Sequence, residues 1–178
     1  MRSSCPLLAV VLLLSACGGG DKPGEPLPAA RGELRLESPA LADGGTIPKR
    51  FTCDGAGVSP PLAWSGVPRD ARELTLVVED PEAGRFVHWT VLKIPPSPAR
   101  FEEGTAPRGT VETDNSFGDR GWGAPCPPEG DEPHRYAFAL YATDAPLGLD
   151  ERSSPDEVRR RLAEHGVARG VLTARYGR

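Results

Sequence analysis

Three polar residues stand where short strands and a turn can gather them. Asp80 closes one apolar run, His88 falls in the middle of the next, and His134 opens a third beside Arg135. A carboxylate with two imidazoles supports several kinds of chemistry. It could hold a divalent metal, although no HxH or HxxxH spacing accompanies it. It could act as a general acid–base pair, although the chain has no G-x-S-x-G elbow or comparable nucleophile motif. It could form a small polar pocket in which His and Arg donors, with N–H groups of Gly-rich loops, take up an oxyanion. Both histidines could equally be satisfied residues of the fold, and spacing alone leaves these alternatives open.

The elements that must position these residues are mostly strands. Leu74–Glu79 (LTLVVE) and Phe86–Ile94 (FVHWTVLKI) are β-branched and aromatic, with Asp80-Pro81-Glu82-Ala83-Gly84 as the turn signal between them. Pairing of these runs as a hairpin would bring Asp80 and His88 within a few residues of each other on one edge. Simple alternation makes His88 face away from both Val87 and Trp89. Tyr136–Thr143 and Val171–Tyr176 read as further strands, and Leu34–Leu36 as a short edge strand. Strands joined by Pro- and Gly-rich connections predict a sandwich of antiparallel sheets. One helix is predicted from Ser154 as cap and Pro155 as first residue, with Val158 and Leu162 on one face and Gly166 as the stop. His165 falls in its last turn, where a positive charge complements the dipole. The stretch 95–133 carries little strand or helix pattern yet contains Phe117, Trp122 and Cys126, so it is expected to be an ordered loop that builds a surface site.

The N-terminus bears on compartment. Residues 1–16 combine a positive start, the apolar run Pro6–Leu14 and small residues before Cys17, the pattern of a signal peptide. Leu14-Ser15-Ala16-Cys17 resembles the bacterial lipobox, which makes Cys17 the expected lipidation site. Residues 17–32 are rich in Gly and Pro and are expected to be a flexible tether, with one domain over 33–178. The formal net charge is −4, one unit more negative without Arg2, which weighs against nucleic acid as a partner. If Cys5 leaves with the signal and Cys17 carries lipid, Cys53 and Cys126 remain in an oxidising compartment. They are expected to pair, the alternative being two separate buried thiols. A bridge over so long a loop is worth about 4 kcal/mol in the chain-entropy model.

Asp80-Pro81-Glu82-Ala83 with Val87-His88-Trp89 is similar to the DPDAP…HW signature of the phosphatidylethanolamine-binding family. Gly123-Ala124-Pro125-Cys126-Pro127-Pro128-Glu129-Gly130 with His134-Arg135-Tyr136-Ala137-Phe138 resembles its second signature, GPxPPxG…HRYxF. The segments 47–55 and 59–64 resemble the opening region of the family's bacterial branch, called YbhB/YbcL or Raf kinase inhibitor-like. The resemblance runs from about Leu34 to the C-terminus. It implies a mainly β fold, a sandwich of a large and a small antiparallel sheet with a C-terminal helix beside a pocket. It also implies a ligand pocket made by Asp80, His88 and His134. Trp122, Gly123, Ala124, Pro125, Cys126 and Pro127 would form its rim and supply backbone donors, and Tyr136 its floor.

Family members bind phosphate, acetate or phospholipid head groups at this place. The expectation for this chain is a non-catalytic lipoprotein of the bacterial envelope, outer-membrane or periplasm-facing, that binds a small anionic ligand without metal or cofactor. A protein-interaction or protease-inhibitor module using the 95–133 loop is the alternative. Glu82 departs from the family's second Asp and Gly84 from its Pro, and Trp122 stands where Tyr is common. The longer Glu82 side chain is expected to narrow the pocket mouth or repel an anion.

Overall fold

A computed structural model describes residues 27–178, so the expected signal peptide and the lipidation site Cys17 lie outside the described residues. Its strands are β1 (Gly32–Glu33), β2 (Arg35–Glu37), β3 (Gly45–Thr46), β4 (Leu62–Ser65), β5 (Glu73–Asp80), β6 (Phe86–Ile94), β7 (Arg100–Phe101), β8 (Val111–Glu112), β9 (His134–Thr143) and β10 (Gly166–Tyr176). The helix α1 spans Pro155–His165. Seven strands form a large sheet in the order β1-β10-β9-β5-β6-β8, with β3 also on β10, and β2-β4-β7 form a small one. The long strands pair antiparallel, as expected. Two-residue β1 and β3 are added parallel to β10, near its two ends.

Every residue of β5 after Glu73 is buried, because both faces of the large sheet are covered. On one face Leu76, Val78, Trp89, Phe138 and Leu140 pack with Leu36, Leu62, Trp64 and Phe101 of the small sheet. On the other, Val77, Leu92, Ala139 and Tyr141 pack with Val158 and Leu162 of α1 and with Leu147 and Leu149. The molecule therefore has three layers: small sheet, large sheet, helix.

The helix begins as its sequence predicts, with Ser154 Oγ accepting from Glu157 N at 3.2 Å and Pro155 as first residue. It ends at Gly166 without a left-handed turn, since Gly166 has φ −68° and opens β10 directly. A side chain at Gly166 would put a Cβ 2.6 Å from Leu162 O, so the direct change from helix to strand needs glycine. Strand β10 thus starts five residues before the expected Val171. The run GVARG hides it, because Gly166 and Gly170 interrupt the apolar alternation. At Gly170 a Cβ would meet Leu34 O at 2.6 Å, where the chain entering the small sheet crosses.

Residues 27–32, expected to belong to the tether, are held against the domain. Arg169 Nη1 donates to Leu27 O at 2.9 Å and to Pro28 O at 2.8 Å, and Tyr141 OH donates to Pro28 O at 2.8 Å. Leu27 is buried in the helix-side core. Composition could not reveal this, because the groups recognised are mainly backbone carbonyls. His165 Nδ1 lies 3.1 Å from Asp144 Oδ1, tying the last helical turn to the loop after β9.

Cys53 and Cys126 form a disulfide with Cα atoms 5.4 Å apart, across 73 positions of sequence. Replacing both with serine should lower the unfolding free energy by about 2–4 kcal/mol, read from denaturant midpoints without reductant. An unchanged midpoint would mean that the bond constrains nothing the fold does not already hold.

Candidate functional site

The site is assembled at the turn end of the β5–β6 hairpin, and a bulge in β6 decides its geometry. Val78 pairs with Trp89 and Glu79 with Val87, so His88 is an extra residue with no opposite number on β5. Such a bulge turns successive side chains toward the same face. Trp89 packs into the core between the sheets, and the His88 ring lies 5.1 Å from that of Tyr136, which belongs to the same core. His88 therefore shares a face with Trp89, against the expectation from alternation. The displaced register, not the local pattern, sets its direction.

Asp80 ends β5 and starts the turn, its Oδ1 accepting from Ala83 N at 3.1 Å. Its Oδ2 lies 2.6 Å from His134 Nδ1 at the head of β9. A carboxylate accepts, so His134 carries its proton on Nδ1 and Nε2 is its remaining nitrogen. His88 Nδ1 lies 2.8 Å from Gly123 O, and the same logic places a proton on Nδ1 there. Asp80 is 2 % exposed and His88 3 %. Burial pushes the His88 imidazole below the usual histidine value; the Gly123 carbonyl and Asp80 pull it back up, and His134 pushes it further down. Near neutral pH His88 thus presents an unprotonated Nε2, and it donates there only after taking up a proton. Burial, then the negative charges of Asp80 and Glu82, push the Tyr136 hydroxyl well above its ordinary value, so it stays protonated.

The long loop lies against the outer side of β6. Ser116 N donates to Val87 O at 2.8 Å and Gly123 N to His88 O at 2.7 Å, while Val87 N donates to Ser116 Oγ at 2.9 Å. Buried Asn115 braces the turn between them. Its Oδ1 accepts from Phe117 N at 2.9 Å and Asp119 N at 3.2 Å, and its Nδ2 donates to Gly121 O at 3.0 Å. The brace holds Phe117 at the mouth, 51 % exposed, with its ring 4.6 Å from Phe86 and 5.6 Å from His88.

The resulting pocket has a volume of about 110 Å³, lined by Asp80, His88, His134 and Tyr136 together with Ala83, Phe86, Phe117, Cys126, Pro127 and Pro128. That is room for several waters or one oxyanion-sized group. Six of the expected residues line it: Asp80, His88, Cys126, Pro127, His134 and Tyr136. Trp122 points into the core instead, 5.6 Å from the Trp89 ring and stacked 6.1 Å from Phe138.

Gly123, Ala124 and Pro125 stand behind the pocket, where Gly123 orients His88 and Pro125 O accepts from Cys53 N at 3.1 Å. The expected supply of backbone donors from this loop is thin, because Pro125, Pro127 and Pro128 have no N–H and that of Gly123 is already given to His88 O. Glu82 is turned aside: its Oε2 accepts from Arg135 N at 3.2 Å and its Oε1 lies 3.6 Å from Arg135 Nε. Helix α1 contributes nothing to the lining and packs across the large sheet, not beside the pocket. Phe86 and Phe117 also line the pocket, which neither motif predicts, although an aromatic beside the hairpin turn and another within a polar loop are visible signals.

The family profile described as phosphatidylethanolamine-binding protein matches residues 37–177. A UPF0098 protein of Methanothermobacter thermautotrophicus is 40% identical over 152 residues, covering 82% of this chain and 99% of that protein. A Mycobacterium tuberculosis protein whose name proposes a lipoprotein, LppC, is 39% identical over 186 residues, covering 93% of this chain and 92% of its own. Among solved structures, YbcL of E. coli, described as a member of the mammalian PEBP family, superposes with a TM-score of 0.77 at 29% identity, covering 83% of this chain and 99% of its own. CT736 of Chlamydia trachomatis does so with a TM-score of 0.75 at 36% identity, with 83% and 99% covered.

Two outcomes test this geometry. An NMR titration should place the His88 midpoint below the ordinary ~6.5. Its folded value is depressed, so the stability it contributes is complete above the unfolded pKa and is lost as pH falls from about 6.5 through the folded value. His88→Gln should flatten that part of the pH–stability curve. Separately, Gly123→Ala would place a Cβ 2.7 Å from the Phe117 ring and 3.1 Å from Asn115 Nδ2. It should cost about 1–3 kcal/mol and shift the aromatic near-UV signal, because the loop must move.

Proposed function

The chain belongs to the phosphatidylethanolamine-binding protein family, and from that premise we propose that it is a non-catalytic envelope lipoprotein binding a small anionic or phosphate-bearing group of head-group size. The observation that carries this reading is the pair of pocket imidazoles whose Nδ1 atoms are already engaged, His88 by Gly123 O and His134 by Asp80. Each ring then has Nε2 for a ligand. Protonation makes both charge-assisted donors to an oxyanion, and the Tyr136 hydroxyl adds a neutral one. Aromatic and proline walls lower the local dielectric, which strengthens each such bond. Because burial keeps His88 unprotonated near neutrality, anion uptake is coupled to proton uptake.

The lipobox-like tetrad ending at Cys17 supports the anchor, as does the similarity to LppC, whose name proposes the same class. In that arrangement the pocket works close to a membrane and meets phospholipid head groups or their soluble fragments. Outer-membrane or periplasm-facing placement belongs to the same proposal. A protein partner is the second reading. Phe117, held rigidly at the pocket mouth while half exposed, is the kind of aromatic anchor that a peptide or protease surface would cover.

Isothermal titration of the full chain with phosphoethanolamine and with inorganic phosphate tests the first reading. Binding should weaken by about tenfold or more in both His88→Ala and His134→Ala. Affinity should fall as pH rises, by up to about tenfold per pH unit for each proton taken up. Affinity independent of pH between 5 and 8 would remove the imidazolium role. No binding by the unmodified chain would transfer the argument to the protein partner.

A further inference from the structure

We propose that the Cys53–Cys126 disulfide is a thiol–disulfide exchange site for a dithiol reductant, and that its redox state controls the pocket. The gating half of this rests on the ligand-binding reading above; the exchange half does not. Cys53 and Cys126 are both exposed residues. Exposed disulfides are the labile members of their class, whereas structural ones are shielded. Cys126 is also a wall of the pocket, followed by the lining residues Pro127 and Pro128.

The two sulfurs are not equivalent, because the C-terminal residue is fastened beside one of them. Arg178 Nη1 lies 3.6 Å from Cys126 Sγ. Its Nε donates to Asp54 Oδ1 at 3.2 Å and its Nη2 to Glu129 Oε1 at 3.1 Å, and Asp54 also accepts from Tyr176 OH. These carboxylates offset part of the guanidinium charge, yet they fix its remaining edge on the sulfur. A cation in direct contact lowers the pKa of a thiol and makes it the better leaving group.

The step follows from that asymmetry. A thiolate of the dithiol attacks Cys53 Sγ, the Cys53–Cys126 bond breaks, and its electron pair leaves on Cys126 Sγ against Arg178. The second thiol of the reductant, as thiolate, attacks the reductant's own sulfur in the mixed disulfide and releases Cys53. The reductant departs as a disulfide. The two cysteines gain its two electrons and take up the two protons it gave up. Once the bond is broken, the 124–128 rim keeps only non-covalent ties to the segment carrying Cys53, the Cys53 N to Pro125 O hydrogen bond of 3.1 Å and the Arg178 bridge from Asp54 to Glu129. A pocket wall set by that rim then loosens.

The test treats the folded full chain with glutathione, then with dithiothreitol, and maps adducts by mass spectrometry. Glutathione should be trapped on Cys53 with a free thiol on Cys126, and Arg178→Ala should slow exchange by about tenfold. The reduced, alkylated chain should keep its far-UV circular dichroism and lose about tenfold in phosphoethanolamine affinity, while oxidised Arg178→Ala binds as the unmodified chain does. Glutathione on Cys126, a bond that resists millimolar dithiothreitol, equal affinity in both redox states, or collapse of the fold on reduction would each overturn the proposal. If the oxidised chain binds no phosphoethanolamine, the ligand reading fails by itself, and the adduct position and the Arg178 dependence still decide the exchange site.

Discussion

The site depends on one extra residue in β6. With His88 inserted opposite the Val78–Glu79 step, its ring and that of Trp89 lie on the same face of the sheet. Without it, either His88 or Trp89 would have to turn to the helix layer. The first change would empty the pocket of an imidazole, and the second would remove a large side chain from the core between the sheets. The bulge satisfies both demands at once. It also leaves His88 O facing outward, where Gly123 N meets it at 2.7 Å. The same glycine returns its carbonyl to His88 Nδ1, so the bulge, the loop and the imidazole tautomer form one hydrogen-bonded unit.

The neighbouring strand shows how alternation divides charge between layers. Glu79 and Asp80 are adjacent, both nearly buried, and face opposite sides of the large sheet. Glu79 pairs with Arg159 of α1, and its carboxyl is pushed up chiefly by burial, with that guanidinium pulling it back. Asp80 turns to the pocket and takes His134. Two buried carboxylates side by side are tolerable because each has its own cation or imidazole in a different layer. The helix thus contributes to the site indirectly, by neutralising the acid next to it.

The loop from 113 to 128 is ordered by polar and covalent ties and has little regular pairing of its own. Asn115 supplies most of the internal bonds, Trp122 sinks an aromatic anchor between Trp89 and Phe138, and the disulfide closes the far end. Between those ties the loop presents Phe117 on one side of the pocket and Cys126–Pro128 on the other. Its prolines make the wall stiff and poor in donors. The polar work therefore falls to the two histidines and Tyr136.

Much of this protein is legible in its residues. The β5–β6 hairpin and the capped helix follow from local chemistry, turn residues and an N-cap with proline, and the Cys53–Cys126 pair from a count of thiols in the oxidising compartment that the N-terminus predicts. The motifs around Asp80, His88 and His134 identify the family and the core of the pocket, because each of those side chains sits within a short motif of its own. The sequence alone could not reveal facing and lining. The direction of His88 is a matter of inter-strand register, which no single strand encodes. Trp122 reads as a rim residue until the core is seen to have a gap of its shape. Phe86 and Phe117 meet only because a brace made by Asn115 folds one loop onto another strand. Residues 27–32 pack through their backbone carbonyls, which composition does not display. What lies within a few residues is written in side-chain type; what depends on two distant segments meeting is decided when the sheets and loops close on each other.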